Sequence, residues 1–367
     1  MYLGLTWDHP RGYAALDAAA AATDGLLVWD RQPLEGFEAH PIADLCARYD
    51  LVVLDHPHVG EAVAAGCLRP LEELFGIDEI AALARETIGP CLSSYHYAER
   101  HWALPLDAAT QVMAYRADLL DGPEPTTWDA VVALPERLPL ALSLAGPHAA
   151  LTLWSIVAAL GDDPSDPDLL LDIDTGLAAL DIMASIAART PDAVRALNPI
   201  GLLATMAAGD TIALCPLVYG YVNYAPALVF ADAPRARATM RPGSTLGGTG
   251  IGVSARCDPS PALLDHLRWL MSADAQTRFI PDHAGQPSSR VAWHDDAVNA
   301  RWGGFYRATA ATLEAAHVRP RHDGAIAFQT AASAAIRDAL AHRRPHRALL
   351  DDLQRRYAAS RQPGAER

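Results

Sequence analysis

The sequence predicts an α/β protein of two domains, and three observations carry that expectation. The first third of the chain alternates short apolar runs with helix-like stretches, which implies a parallel sheet with right-handed crossovers. The chain has 367 residues, about two domains at about 150 residues each. Two of the apolar runs, "LTWDHP" at 5–10 and "VVLDHP" at 52–57, end in the same Asp-His-Pro triplet.

Taken in order, "YLGLTW" reads as the first strand and the Ala-rich "GYAALDAAAAAT" as a helix. "GLLVWDRQ" is the second strand, "PIADLCARY" a helix, "DLVVLDH" the third strand, and "VGEAVAAGCLRPLEELF" helix and turn. In an open α/β sheet, ligands sit beyond the carboxyl ends of strands where the strand order reverses. With the order 2-1-3, strands one and three flank that point and their Asp-His-Pro ends lie side by side. Pro10 and Pro57 stop the strands, because proline has no N–H to give to a ladder.

Further on, "ALPLDAATQVMAY" is extended, and Thr127 is an N-cap for the helix of "TWDAVVAL". "LPLALSLAG" reads as a strand, "AALTLWSIVAALG" as an apolar helix, and "DDPSDPD" as a polar loop. "TGLAALDIMASIAAR" is an amphipathic helix. "GLLATMAAGDTIALCPLVYGYVNYA" runs helix, turn, strand and aromatic loop. "STLGGTGIGVSA" is a glycine-rich strand, "PALLDHLRWLMSADAQTRFI" a helix, and the chain ends in helix with a frayed "SRQPGAER".

Composition limits the function. Net charge is −15 and every one of the 29 basic residues is arginine. No basic face for a nucleic-acid backbone is expected. Fifty-one per cent of residues are hydrophobic, enough for a core in each domain. No apolar run is long enough to span a membrane. The five cysteines show no C-x-x-C spacing, so neither a disulfide framework nor a zinc knuckle is indicated. Met1 leads straight into the first strand without a basic and apolar leader. The expectation is therefore a cytoplasmic protein, or a periplasmic or extracellular one if a leader has been removed.

The order of motifs resembles the extracellular solute-binding proteins of ABC importers, family 1, the maltose-binding-protein-like group. "YDLVVLDHPHVGEAVAAGCLRPLEEL" is similar to the family's third strand, loop and following helix. "HWALPLDAATQVMAYRADLL" resembles its first hinge crossing, and "EPTTWDAVVAL" its P-x-T-W-D turn. "MAAGDTIALC", "GGTGIGVSA" and "LLDHLRWLMSADAQTRFIPDHAGQPSSR" follow in the family's order. The resemblance implies a periplasmic-binding-protein-like fold: two α/β lobes joined by hinge strands, with a ligand cleft between them and hinge closure on binding. Lobe one would take residues 1–106 and 247–300; lobe two would take 107–246 and 301–367.

Carried onto matching positions, the resemblance implies ligand contacts from Trp7, Asp8 and His9, from Asp55, His56 and His58, and from Asp107, Thr110 and Gln111. It adds Tyr219, Tyr221, Asn223 and Tyr224 of "VYGYVNY", Thr249 of "GGTG", Gln286 of "AGQPS", and Arg319, Arg321 and His322 of "HVRPRHDG". Aromatic platforms with amide and hydroxyl groups suit a small polar ligand. No HxxxH or HExxH spacing among His9, His56 and His58 supports a metal, and no cofactor is expected. The implied partners are a small molecule and an ABC permease. The alternative is a cytoplasmic enzyme on the same scaffold. There His9, His56 and His58, with Asp8 and Asp55, would act as general acid and base on a small metabolite, in an isomerisation, elimination or hydrolysis. A third possibility is a ligand sensor that signals to a partner.

Overall fold

The structure is a computed structural model that describes residues 1–162 and 169–362. Most of the polar loop "DDPSDPD" and of the tail "SRQPGAER" lies outside the described residues. The chain divides into two compact units. Unit 1 comprises Met1–Ala109, Gly247–Arg301 and Pro320–Ile326; unit 2 comprises Thr110–Leu246, Trp302–Arg319 and Ala327–Arg367.

Unit 1 opens with β1 (Tyr2–Trp7), β2 (Leu27–Gln32) and β3 (Leu51–Leu54). β1 lies between β2 and β3, parallel to both. This is the 2-1-3 order that the alternation predicts. A hairpin of β4 (His96–Tyr97) and β5 (Arg100–His101) follows. β6 (Leu104–Tyr115) starts in unit 1 and runs on into unit 2. β7 (Leu214–Tyr219) and β8 (Val229–Ala231) belong to unit 2, and β9 (Leu246–Val253) brings the chain back to unit 1. β9 pairs antiparallel with β3, Leu54 opposite Gly250. The unit 1 core gathers Leu5, Val52 and Leu54 of the strands with Ile42, Leu45 and Val59 of the helices. Every side chain of β3 is buried, as a strand covered on both faces requires.

In unit 2, β6 pairs antiparallel with β7 and β8, Gln111 opposite Tyr219 and Met113 opposite Ala231. Its central helix, His148–Leu160, is buried almost all round, which explains its lack of amphipathic period. Trp154 on that helix stacks on Phe328 at 6.2 Å between ring centroids. Thr127 does cap its helix: its side chain accepts from Ala130 N–H at 3.2 Å.

Three elements differ from expectation. "LPLALSLAG" is not a strand. It makes one isolated bridge, Leu140 to Leu214, and Pro139 has no N–H with which to extend the ladder. The helix expected over 261–280 stops at Leu270 and restarts in a wider turn over Ala275–Phe279. The Ser272 hydroxyl accepts from Ala275 N–H at the restart. The terminal helix is two, Ala325–His342 and His346–Ser360. Arg343 has φ +50° and Pro345 cannot continue the first helix. Beyond these three, the structure adds helices that the sequence pattern does not announce, among them Leu34–Ala39, Ile77–Glu86 and Phe305–Glu314.

Candidate functional site

The Asp-His-Pro ends meet in unit 1. Gly4 pairs with Leu51 and Leu5 with Val52. Continuing that register sets Trp7 beside Leu54, so both triplets leave the sheet at adjacent tips. The register of β9 against β3 brings Thr249 to the level of Asp55.

Each triplet then does a different local job. Pro10 starts the helix Pro10–Ala21 and His9 is its N-cap, with Nδ1 accepting the Arg11 N–H at 3.2 Å. The His9 ring stacks on Trp7 at 5.4 Å and 10°. Burial, and then the nearby Arg11 charge, lower the His9 pKa to about 4. A neutral ring is what an accepting Nδ1 requires. Asp55 instead caps a short turn over His56–His58; its Oδ1 accepts the His56 N–H at 2.9 Å and lies 3.2 Å from His56 Nδ1. His56 is fully buried, edge-on to Tyr95. His58 is buried too, with Nδ1 3.8 Å from Glu61. Asp8 is exposed and lies 3.8 Å from Arg31.

Next to Trp7 lies a buried ion pair. Arg11 Nε donates to Asp107 Oδ1 at 2.9 Å and Arg11 Nη2 to Oδ2 at 2.5 Å. The two side chains are only 4% and 5% exposed. The guanidinium also sits 5.5 Å from the Trp7 ring centre. Asp107 is held from its backbone side as well. Gly248 has φ +86°, and a Cβ there would lie 2.2 Å from the Asp107 carbonyl oxygen. Only glycine lets β9 come this close. Thr249 follows immediately. It is 3% exposed, and its Oγ1 has no hydrogen-bond partner among the described residues. Buried hydroxyls are normally satisfied, so this one stands out among the expected contacts.

Other expected contacts are occupied in holding unit 1 together. Gln286 Nε2 donates to Ala108 O at 2.9 Å, and the Ala108 N–H donates to Gln286 O at 2.8 Å. Arg321 Nη1 donates to the carbonyls of Ser93, Ser94 and His96 at 3.0, 3.0 and 2.7 Å. The backbone of Arg321 and His322 lies against Gly60, where a Cβ would come 1.8 Å from Arg321 O. His322 O accepts the Ala325 N–H, and its side chain is half-buried.

The unit 2 candidates lie largely in a buried polar network. Gln111 Oε1 accepts from Ser155 Oγ at 2.6 Å and Thr245 Oγ1 at 3.4 Å; Gln111 Nε2 donates to Thr152 Oγ1 at 3.3 Å. Thr110 Oγ1 lies 2.5 Å from Ser244 Oγ. Tyr219 Oη is 3.3 Å from Thr245 Oγ1 and donates to Leu246 O, and its ring meets His148 edge-on. Arg319 is buried, donating to Leu246 O and Gln329 Oε1 at 3.1 and 3.2 Å. Tyr221 is buried; Asn223 and Tyr224 are half-buried. Tyr224 Oη donates to Ile200 O at 3.5 Å, and burial raises its pKa. The Asn223 Oδ1 has no partner among the described residues.

Sequence reasoning missed Arg11 and the hydroxyls of Ser155, Thr152, Ser244 and Thr245. Each left a signal. A cation in the first turn of a helix opposes the macrodipole, so Arg11 needs an anion elsewhere. Thr152 and Ser155 sit in an otherwise apolar helix, where a polar side chain must find a buried partner.

The model of a family described as bacterial extracellular solute-binding protein matches residues 39–302. Among solved structures, the chain is similar to an ABC transporter solute-binding protein from Agrobacterium radiobacter K84 in complex with ribitol. Identity is 21%, coverage 96% of each chain and the TM-score 0.79. A maltose-bound T. maritima MalE3 aligns at 16% identity over 97% of this chain and 98% of that one, TM-score 0.81. A solute-binding protein from Agrobacterium vitis S4 with bound D-mannitol aligns at 15% identity over 97% of each, TM-score 0.74. These likenesses establish the periplasmic-binding-protein fold. The alternative of an enzyme on this scaffold finds no support among these matches. Nor does a cytoplasmic location, since the family is described as extracellular. Among the described residues no helix is long and apolar enough to cross a membrane.

Proposed function

Because the chain belongs to the bacterial extracellular solute-binding proteins, we propose that its solute is a small uncharged polyhydroxyl compound, an alditol or a sugar, delivered to an ABC permease. The observation that carries this is the buried, unpartnered Thr249 Oγ1, next in sequence to the Gly248 that packs on the backbone of Asp107, the partner of Arg11. The pair offers donor and acceptor edges with no net charge, and His9 stays neutral near pH 7. A charged ligand group would find Arg11 and Asp107 already neutralising each other, whereas hydroxyls match donors and acceptors, and the Trp7–His9 stack offers an apolar face. The ribitol, D-mannitol and maltose held by similar proteins point the same way.

Thr249→Val tests the reading. The hydroxyl makes no protein hydrogen bond, so its loss is expected to leave stability within about 1 kcal/mol. Affinity for the best binder among ribitol, D-mannitol and maltose in calorimetry is expected to fall about tenfold, or about 1.4 kcal/mol. Unchanged affinity in the variant, or binding only of charged amino acids or polyamines by the parent protein, refutes it.

A further inference from the structure

The five cysteines have no telling spacing in sequence, yet two of them meet in unit 1. Cys46 ends the helix Ile42–Cys46, and Cys67 follows the left-handed Gly66 that closes the helix Val59–Ala65. The two helices are tied at their starts, where Glu61 Oε1 accepts the Ile42 N–H at 3.2 Å. Their ends are pinned to consecutive residues beyond β9. Ser254 Oγ donates to Cys46 O at 3.1 Å, and the Ala255 N–H donates to Cys67 O at 2.9 Å. Between these anchors the Cys67 side chain packs against the apolar cluster that contains Cys46, and the two thiols are close enough to perturb one another. Cys46 is buried, while Cys67 is partly exposed.

We propose that Cys46 and Cys67 form a disulfide when the protein enters an oxidising compartment, by exchange with a disulfide-bearing oxidant. An extracellular family makes such a compartment the working environment. The roles of the two sulfurs differ. Cys67 is the partly exposed thiol, and its contact with Cys46 lowers its pKa, so its thiolate attacks one sulfur of the oxidant. The other sulfur leaves as a thiolate and takes a proton, and a mixed disulfide remains on Cys67. The same contact, with burial, raises the Cys46 pKa, so Cys46 acts second. It loses its proton as it attacks Cys67 Sγ and expels the second thiol. Overall, two protein thiols become one disulfide, and one oxidant disulfide becomes two thiols. Cys215 and Cys257 are buried with raised pKa values and lie outside this pair.

The test uses the full chain, purified reduced and then incubated with oxidised glutathione. Non-reducing peptide mapping is expected to show one peptide pair joined through Cys46 and Cys67, with free thiols falling from five to three. The oxidised form is expected to melt about 5 °C higher, since the bridge restricts the unfolded chain. Cys46→Ser is expected to stop at a persistent glutathione adduct on Cys67. Five thiols remaining, a bridge between other cysteines, or a stable adduct on Cys67 in the unsubstituted chain would overturn the proposal. Mapping the unsubstituted protein keeps the test valid if the serine variant fails to fold.

Discussion

Arg11→Met should be the most damaging single change on the strand-tip surface of unit 1. Methionine keeps most of the side-chain stem but deletes the guanidinium. Asp107, 5% exposed, then holds a carboxylate that has lost both charge-assisted hydrogen bonds. Breaking a buried pair in this way costs about 3–5 kcal/mol. The lost contact between guanidinium and Trp7, 5.5 Å from the ring centre, adds about 0.5–1 kcal/mol. The total is a large share of a typical domain stability of about 5–15 kcal/mol. The double variant Arg11→Met, Asp107→Leu should recover most of the loss and come within about 1–2 kcal/mol of the parent, because no uncompensated charge remains. Hydrogen exchange of peptides from residues 1–20 reads the opening of this unit without assuming that both units unfold together. A single variant that loses under about 1 kcal/mol, or a double variant as unstable as the sum of the singles, would refute the reasoning.

Three further predictions follow from other parts of the structure. Native His9 has a pKa of about 4 against 6.5 unfolded, so between those values the unfolded chain binds a proton that the folded one does not. Stability contributed by His9 is therefore intact above about pH 6.5, falls by about 3 kcal/mol as pH drops to about 4, and then levels off. His9→Asn keeps a capping acceptor without a titrating ring and should flatten that acid limb; an unchanged limb in acid-unfolding curves contradicts the assignment. Gly248→Ala forces a Cβ to within 2.2 Å of Asp107 O at φ +86° and should cost about 2–4 kcal/mol together with solute binding. A thermal melt equal to the parent's would show that β9 has room to move. Gln111→Leu strips Ser155, Thr245 and Thr152 of a shared partner and should destabilise unit 2 by about 2–3 kcal/mol. Unchanged exchange protection in the helix His148–Leu160 counts against the network.

The order β2-β1-β3 and the meeting of the two Asp-His-Pro tips were legible because they rest on local alternation. An apolar run stopped by proline is a strand end in almost any context, and parallel neighbours joined by a helix have one handedness. The Thr127 cap was legible for the same reason, since its hydrogen bond spans three residues. The partner of Asp107 was not legible. Arg11 lies 96 residues away, and nothing local distinguishes it from the other arginines except its awkward place in a helix's first turn. The resemblance of the hinge segment points to Gln111 as a ligand contact, whereas the hydroxyls that hold its amide, 41 to 134 residues distant, leave no local sign. The failed strand at "LPLALSLAG" shows the same limit, for its apolar residues are buried without a ladder to join. Sequence by itself determined which segments become strands and helices, because backbone hydrogen bonding and side-chain period are local. Tertiary structure alone decided which polar groups are spent on one another and which, like the Thr249 hydroxyl, are left without a protein partner among the described residues. Those pairings depend on desolvation and distance among residues that the chain keeps far apart.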